Sequence, residues 1–156
     1  MITKCLEYLL ETKLDRAINW KKVISDTKYY KSCESQIFQC KAYRQTDPTA
    51  LINSLDVFND VLVHYLFHHT AGFNQCEIGK IGSVLYAPTG RFATIYPKFY
   101  ELCVKIHKLR LESDLSHPKV RSTNKATRRI KFREIKNLKT SLRDGYIEYI
   151  NALKSL

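Results

Sequence analysis

The sequence predicts an all-α protein, an antiparallel bundle of about five helices in a single domain of residues 1–156. Apolar residues recur at spacings of three and four along most of the chain, as on one face of a helix. No long stretch shows the apolar and polar alternation of a strand, and no internal repeat is present. A chain of this length buries about two-thirds of the surface that its unfolded form exposes, so it needs no disulfide or metal to fold.

The first half of the chain predicts a first helix, one or two shorter helices, and then a long one. The apolar stripe from Ile2 to Ile18 defines the first helix, and the weaker pattern over 20–43 predicts the shorter ones. Asp47-Pro48 then begins the long helix, because an Asp cap and an early Pro suit a first turn. Its apolar spacing continues to about His69.

Residues 71–91 are the least regular part of the chain, with glycines at 79, 82 and 90 and a proline at 88. The segment 79–83 superficially looks like a phosphate loop, but it lacks the spacing of a Walker motif and predicts a tight turn. The clearest period in the sequence follows and predicts a helix from about Thr94 to Asp114. Pro118 disfavours helical geometry at the residue before it, so His117 is expected at or just beyond the end of that helix.

The last helix is predicted from Phe132 to Leu156, with Phe132 on its apolar face. Charged residues interrupt the apolar runs well before the roughly 20 residues that a bilayer crossing requires, so no membrane span is expected. The first residues lack the pattern of a secretory signal. These features, with an odd cysteine count, favour a cytoplasmic protein.

The cysteines contain no CxxC pair and are interpreted as buried small apolar residues: Cys5, Cys33, Cys40, Cys76 and Cys103. Cys33 and Cys40, taken with the histidines at 64, 68 and 69, match no common zinc-ligand spacing. We therefore expect no metal and no cofactor.

The net charge of +11 is concentrated in the last quarter of the chain. Residues 119–156 hold 11 Lys and Arg against 3 Asp and Glu, whereas residues 1–118 hold 15 against 12. A basic connecting tract at about 118–131 and the start of the last helix supply the candidate RNA-binding residues Lys119, Arg121, Lys125, Arg128, Arg129, Lys131 and Arg133. The alternative interpretation is a solvated loop that pairs with acids of a partner protein.

Arg110 and His117 are the candidate catalytic pair. Six residues lie between them, and this spacing of seven on a helix returns both side chains to one face, with Arg110 at the edge of the buried stripe that includes Leu109. This pattern resembles the HEPN superfamily, helical bundles whose ribonucleases carry an Arg, four to six intervening residues and a His near the end of a core helix. More loosely, the chain from Asp56 onward looks like HEPN-type domains of phage-defence systems, including those attached to abortive-infection reverse transcriptases.

The resemblance implies metal-independent cleavage of RNA, in which the ribose 2′-hydroxyl attacks its own phosphodiester, in a phage-defence or toxin system. It assigns proton transfer to His117 and the phosphate contact to Arg110. It also implies a homodimer in which two Arg/His pairs line one cleft. His107 lies three residues before Arg110 on the same helix and is expected to be incidental.

A second hypothesis is a catalytically silent module that binds RNA or docks to a reverse transcriptase, nucleotidyltransferase or antitoxin partner. Leu111 favours it, because active HEPN members usually place a polar residue directly after the Arg. In that case Arg110 pairs with Asp114 one turn later, and His117 caps the C-terminus of the helix.

Overall fold

The computed structural model describes residues 1–15, 17–23, 27–70, 72–73, 81–85, 91–113 and 128–156, with the backbone alone for 27–29. This part of the chain contains helices and no strand, which confirms the all-α prediction. The helices are α1 (Ile2–Leu10), α2 (Trp20–Val23), α3 (Thr27–Tyr43), α4 (Pro48–His69), α5 (Ile81–Leu85), α6 (Arg91–Ile95), α7 (Pro97–Ser113), α8 (Phe132–Asn137) and α9 (Lys139–Leu153). Five of them, α1, α3, α4, α7 and α9, have nine or more residues and form the predicted bundle.

Helix α4 is the centre of the bundle. It packs against α3 and α7, while α1 packs on α3 and α9 packs on α7. Most α4 residues are buried, including Leu51, Leu55, Phe58 and Leu62, none of which has any exposed surface. A helix packed against two others has little surface left for a polar face toward water. Some of the polar residues of α4 are therefore buried, among them Asp56 and Asn59.

Helix α1 ends eight residues before the predicted limit at Ile18. Glu11 adopts a left-handed conformation with φ 53°, and its N–H donates to the Glu7 carbonyl. The Glu7 carboxylate then accepts from the N–H of Leu14 at 3.0 Å. The prediction of one continuous helix is therefore wrong. Leu14 and Ile18 still pack against the core, which explains why their spacing extended the helical pattern.

Helix α4 begins as predicted, because the Asp47 carboxylate accepts from the N–H of Ala50 at 3.1 Å and Pro48 occupies the first turn. It also ends at the predicted His69. The segment 81–83 lies in α5 rather than in the expected tight turn, whereas Gly79 and Lys80 lie outside the described residues.

The helix predicted from Thr94 is two helices, α6 and α7, separated at Tyr96. Pro97 begins α7, where its missing N–H costs nothing. The next two N–H groups, of Lys98 and Phe99, donate to the Glu148 carboxylate of α9 at 2.9 and 3.0 Å. A side chain fifty residues away in sequence therefore caps α7, and its own first turn contains no acid.

The predicted last helix is also two helices, α8 and α9, which meet at Leu138. Tyr146 and Tyr149 of α9 are buried at 1% exposure, as predicted, but Phe132 of α8 is 52% exposed. The expectation that Phe132 lies on the buried face is wrong, because an apolar face is continuous only along one helix and the helix here is interrupted. Among the described helices, none is both long and apolar enough to cross a bilayer.

Four of the cysteines are buried and free, in line with their interpretation as small apolar residues: Cys5, Cys33, Cys40 and Cys103. Burial raises the pKa of the Cys33 thiol to about 12 and that of the Cys103 thiol well above its ordinary value. Neither is therefore a reactive thiolate near neutral pH. Cys76 lies outside the described residues.

Candidate functional site

A fully buried carboxylate joins α4 to α7. Asp56 of α4 has no exposed surface, and both of its oxygens face α7 side chains. Arg110 donates from a terminal guanidinium nitrogen to Asp56 Oδ2 at 2.7 Å. His107 Nδ1 lies 3.2 and 3.1 Å from Oδ1 and Oδ2 of the same carboxylate. We call Asp56, His107 and Arg110 the Asp56 cluster.

Helical spacing brings these residues together. His107 and Arg110 are three residues apart, so both project from the same side of α7. On α4, Asp56, Asn59 and Asp60 follow the same spacing of three and four and form a buried polar stripe within an otherwise apolar helix. The packing of α4 against α7 then places Asp56 opposite the basic pair.

Arg110 connects this buried cluster to the surface. Its side chain is 30% exposed, against 11% for His107 and none for Asp56. A guanidinium carries five N–H donors, and the bond to Asp56 uses a terminal nitrogen at one end of it. Arg110 is therefore held in one orientation by a buried anion while part of it remains accessible to an anion from solvent.

His107 belongs to the cluster and is not incidental, contrary to the sequence-based expectation. Because a carboxylate only accepts hydrogen bonds, a hydrogen bond between His107 and Asp56 requires a proton on Nδ1. The opposite ring nitrogen, Nε2, faces α5, where a Cβ added at Gly82 would lie only 3.0 Å from it. A glycine at this position thus allows α5 to cover the imidazole closely.

A second polar contact continues the stripe toward α9. The Tyr146 hydroxyl donates to Asn59 Oδ1 at 2.7 Å, with both residues buried. Within the described residues the Asn59 amide nitrogen finds no hydrogen-bond acceptor. Burial raises the pKa of Tyr146 well above its ordinary value, so its hydroxyl acts here as a neutral donor. This contact ties α4 to α9 and supports α4 on the side that carries Asp56.

Of the two predicted catalytic residues, the structure describes Arg110 and not His117. Arg110 lies three residues before the last residue of α7, Ser113. His117 lies outside the described residues, four positions beyond Ser113, and so does Asp114, the alternative partner of Arg110. The ion pair that the structure gives to Arg110 is with Asp56 on α4.

The predicted RNA-binding residues divide in the same way. Lys119, Arg121 and Lys125 lie outside the described residues, whereas Arg128, Arg129, Lys131 and Arg133 lie within them.

Arg128 is held between two carboxylates. Its guanidinium donates to Glu134 at 2.6 and 2.9 Å and to Glu112 at 2.8 and 3.2 Å. Its backbone N–H also donates to the Glu112 carbonyl at 3.1 Å. Of the four described basic candidates, Arg128 is thus the least suited to contact phosphate. Its evident role is to fasten the end of α7 to the start of α8.

The other three described candidates are exposed. The Arg129 side chain is 80% exposed and has a long contact of 3.6 Å with Asp47, a weak pair in water. Lys131 and Arg133 flank the exposed Phe132 at the first turn of α8. Glu134, the acid of this helix, accepts from the Lys131 N–H at 2.8 Å and from Arg128. We call Arg129, Lys131, Phe132, Arg133 and Lys136 the α8 surface.

No group of three or more His, Cys, Asp or Glu suited to a metal ion occurs among the described residues. A separate surface cleft of about 370 Å³ lies where α2, α4 and the C-terminal residues meet, lined by Lys22, Tyr65 and Lys154 among others. It shares no residue with the Asp56 cluster.

Sequence reasoning missed Asp56 as the partner of Arg110, and it missed the contribution of His107. A signal for Asp56 was present, since the polar residues at 56, 59 and 60 interrupt the apolar face of the most hydrophobic long helix. Buried polar residues at helical spacing require partners on a neighbouring helix. Which neighbour supplies them is not encoded in the spacing.

Comparisons of this chain with protein-family models, with curated proteins and with solved structures find no match. The residues of the Asp56 cluster and the α8 surface, together with the sequence pattern around Arg110, are what indicate a function.

Proposed function

We propose that this protein is a HEPN-type ribonuclease of a phage-defence or toxin system, which cleaves RNA without a metal ion. In this proposal Arg110 contacts the scissile phosphate, His117 transfers a proton, and a homodimer completes the site. The observation that carries it is the setting of Arg110, a partly exposed guanidinium anchored on a buried carboxylate near the end of α7.

The anchoring of Arg110 suits a group that stabilises developing negative charge. A surface arginine samples many rotamers, and holding it against an anion costs conformational entropy. Asp56 fixes one end of the Arg110 guanidinium at 2.7 Å before any ligand binds. Such preorganisation is what makes a charged donor effective in a transition state. Asp56 and His107 are accordingly assigned positioning roles, since both act through Arg110 or the α4–α7 interface.

The short connection from Arg110 to His117 supports their cooperation. The four residues from Ser113 to His117 span at most about 14 Å even when fully extended. This length of chain is short enough for His117 to act beside the exposed part of Arg110, as the proposal requires. His107 is buried and covered by α5, which makes it a poorer candidate for proton transfer to a polymer.

The proposed reaction is an internal transfer of the phosphodiester. The 2′-oxygen forms a bond to phosphorus, the bond from phosphorus to the 5′-oxygen breaks, and the products are a 2′,3′-cyclic phosphate and a 5′-hydroxyl. One proton leaves the 2′-hydroxyl and one is delivered to the 5′-oxygen, which is the task of an imidazole titrating near neutrality. Arg110 stabilises the extra charge on the phosphorane oxygens.

The basic surface supports RNA as the substrate. Residues 128–156 carry eight Lys and Arg against three Asp and Glu. Two of these acids, Glu134 and Glu148, are occupied by Arg128 and by the N-terminus of α7. Arg129, Lys131 and Arg133 remain exposed at the start of α8, close in sequence to the basic residues at 119, 121 and 125. A polyanion is the partner that this distribution favours.

A second candidate function is a non-catalytic RNA-binding or assembly module that docks to a reverse transcriptase, nucleotidyltransferase or antitoxin. The observation that favours it is the ion pair itself, because a buried Asp with an Arg and a His also serves to hold two helices together. Leu111 also favours this second function, because it stands directly after Arg110, where active HEPN ribonucleases usually have a polar residue.

Cleavage assays separate the two candidates. Purified full-length protein is incubated with labelled tRNA and mixed-sequence RNA in excess chelator, beside Arg110→Ala, Arg110→Lys and His117→Ala. The proposal expects each variant to lose about 10²- to 10⁴-fold in rate, and the products to end in 2′,3′-cyclic phosphates. Arg110→Lys retains a cation for Asp56, so its loss of activity tests the guanidinium geometry rather than the charge alone.

Arg143→Ala and His69→Ala are the matched controls, because Arg143 pairs with the surface carboxylate of Asp144 and His69 is exposed at the end of α4. Both are expected to cleave like the wild type. Unchanged cleavage by the Arg110 and His117 variants contradicts the proposed site. RNA binding by all proteins, with cleavage by none, supports the second candidate. A monomer in light scattering at assay concentration contradicts the shared cleft.

A further inference from the structure

The α8 surface combines the most exposed aromatic side chain in the described part of the chain with a group of cations. Phe132 is 52% exposed, compared with 40% for Phe38 and 38% for Tyr8. The neighbouring Lys131, Arg133 and Lys136 are all exposed, as is Arg129. Exposing a phenyl ring to water is unfavourable, so an exposed ring among cations suggests a binding surface.

Among the described residues, the Phe132 ring is uncovered, whereas cations cover the Tyr8 ring. Lys41 and Arg44 both lie 5.2 Å from the centre of the Tyr8 ring, at cation–π distance. Within the described residues, no cation or second ring covers Phe132. The α8 surface therefore offers a flat apolar face surrounded by positive charge.

We propose that Phe132 stacks on an unpaired base of single-stranded RNA while Arg129, Lys131 and Arg133 contact the adjacent phosphates. Aromatic side chains set in a basic groove are the recurrent solution for single strands, because every base has a π-face and every nucleotide a negative charge. A duplex hides the faces of its bases, so the α8 surface selects single-stranded segments. This inference rests on the proposed function for its partner and deepens it by naming the substrate class.

The charge of the neighbouring side chains argues against an apolar protein partner at this position. The cores of protein interfaces are depleted in lysine, whereas Phe132 has Lys131 beside it and Lys136 one turn later. The acid of α8, Glu134, is turned toward Arg128 and the Lys131 N–H, which keeps negative charge away from the ring. A polyanion with flat apolar groups fits both features.

Binding is tested apart from cleavage. The probe is a fluorescent 2′-O-methyl single strand of mixed sequence, which cannot react through its 2′-oxygen. The comparison probes are an abasic strand of equal length and a blunt duplex. The proposal expects Phe132→Ala to weaken single-strand binding about ten- to a hundredfold, and Phe132→Trp to retain it. Binding of the abasic strand and of the duplex is expected to stay unchanged.

Salt dependence distinguishes the ring from the charges. Phe132→Ala removes no charge, so the slope of log affinity against log salt should equal that of the wild type. Arg133→Gln should reduce the slope by about 0.7, the value for one phosphate contact to a single strand. Phe38→Ala, a comparable loss of exposed ring on α3, is the control and should bind like the wild type.

Each failure has a separate meaning. Equal single-strand binding by wild type and Phe132→Ala overturns the stacking role and leaves the cleavage proposal standing. An equal loss on the abasic strand or the duplex also overturns it, because the ring then acts on something other than a base. If the wild type binds none of the probes at low salt, both the stacking role and RNA as the substrate are contradicted.

Discussion

Asp56 is an acidic residue with no exposed surface in the interior of the bundle. A carboxylate without solvent exposure is tolerable only when partners replace its hydration, and here Arg110 and His107 do so. The arrangement stabilises the α4–α7 contact and fixes Arg110 at the same time. Stability and the proposed site therefore depend on the same residue.

Asp56→Asn is expected to lower the free energy of unfolding by about 2 kcal/mol, because the buried charge that Arg110 and His107 face is lost. The partial exposure of Arg110 keeps the effect below that of a fully buried pair. Urea denaturation measures it. The control is Asp144→Asn, a surface carboxylate paired with its neighbour Arg143, which should change stability by less than about 0.5 kcal/mol. Equal values for the two variants would contradict a structural role for Asp56.

At the scale of elements, the contact between α7 and α9 depends on a glycine, Gly145, which has no side chain to hold the helices apart. A Cβ at Gly145 would lie 2.7 Å from Cβ and Cδ2 of Leu102 and 3.2 Å from the Lys98 carbonyl. Leu102 has no exposed surface, and its Cβ cannot move away without moving the helix. Gly145 thus allows the close approach that also brings Glu148 to the N-terminus of α7.

Gly145→Ala is therefore expected to destabilise the protein, although alanine favours helix. The gain in helix propensity is about 1 kcal/mol, whereas overpacking a dense interface costs about 1–3 kcal/mol. A net loss of about 1 kcal/mol should lower Tm by about 3 °C in a thermal melt. Asn151→Ala, at an exposed position of the same helix, should leave Tm nearly unchanged. A Gly145→Ala protein as stable as the wild type falsifies the close contact.

At the scale of the whole molecule, Arg128 joins two helices that are separated by a long stretch of sequence, α7 and α8. Glu112 of α7 and Glu134 of α8 lie on either side of residues 114–127, and Arg128 bonds to both. The hydrogen bond from Arg128 holds the pKa of the Glu134 carboxyl down to about 2, from an ordinary value of 4.5. A contact between distant parts of a chain adds to global stability only while both of its charges are present.

Acid should release this contact in a defined pH window. The folded-state pKa of Glu134 is depressed, so its contribution is fully present above about pH 4.5 and is lost as the pH falls toward 2. Between these values the stability of the wild type should rise more steeply with pH than that of Glu134→Gln, in denaturation curves recorded at successive pH values. Glu101→Gln, which removes a surface carboxylate paired with Lys105 within one helix, is the control. Identical slopes for the wild type and Glu134→Gln argue against the contact.

The sequence by itself determined the all-α class and the main helix positions, because apolar periodicity and capping residues such as Asp47 act over a few residues. It also determined the uneven charge and the position of Arg110 near a helix end. Only the tertiary structure decided what Arg110 contacts, since Asp56 is 54 residues away in sequence. The same holds for the capping of α7 by Glu148 and the use of Arg128 between two carboxylates. Even the exposure of Phe132 depended on the break at Leu138. Spacing along one helix defines a face, whereas packing between helices decides what that face meets.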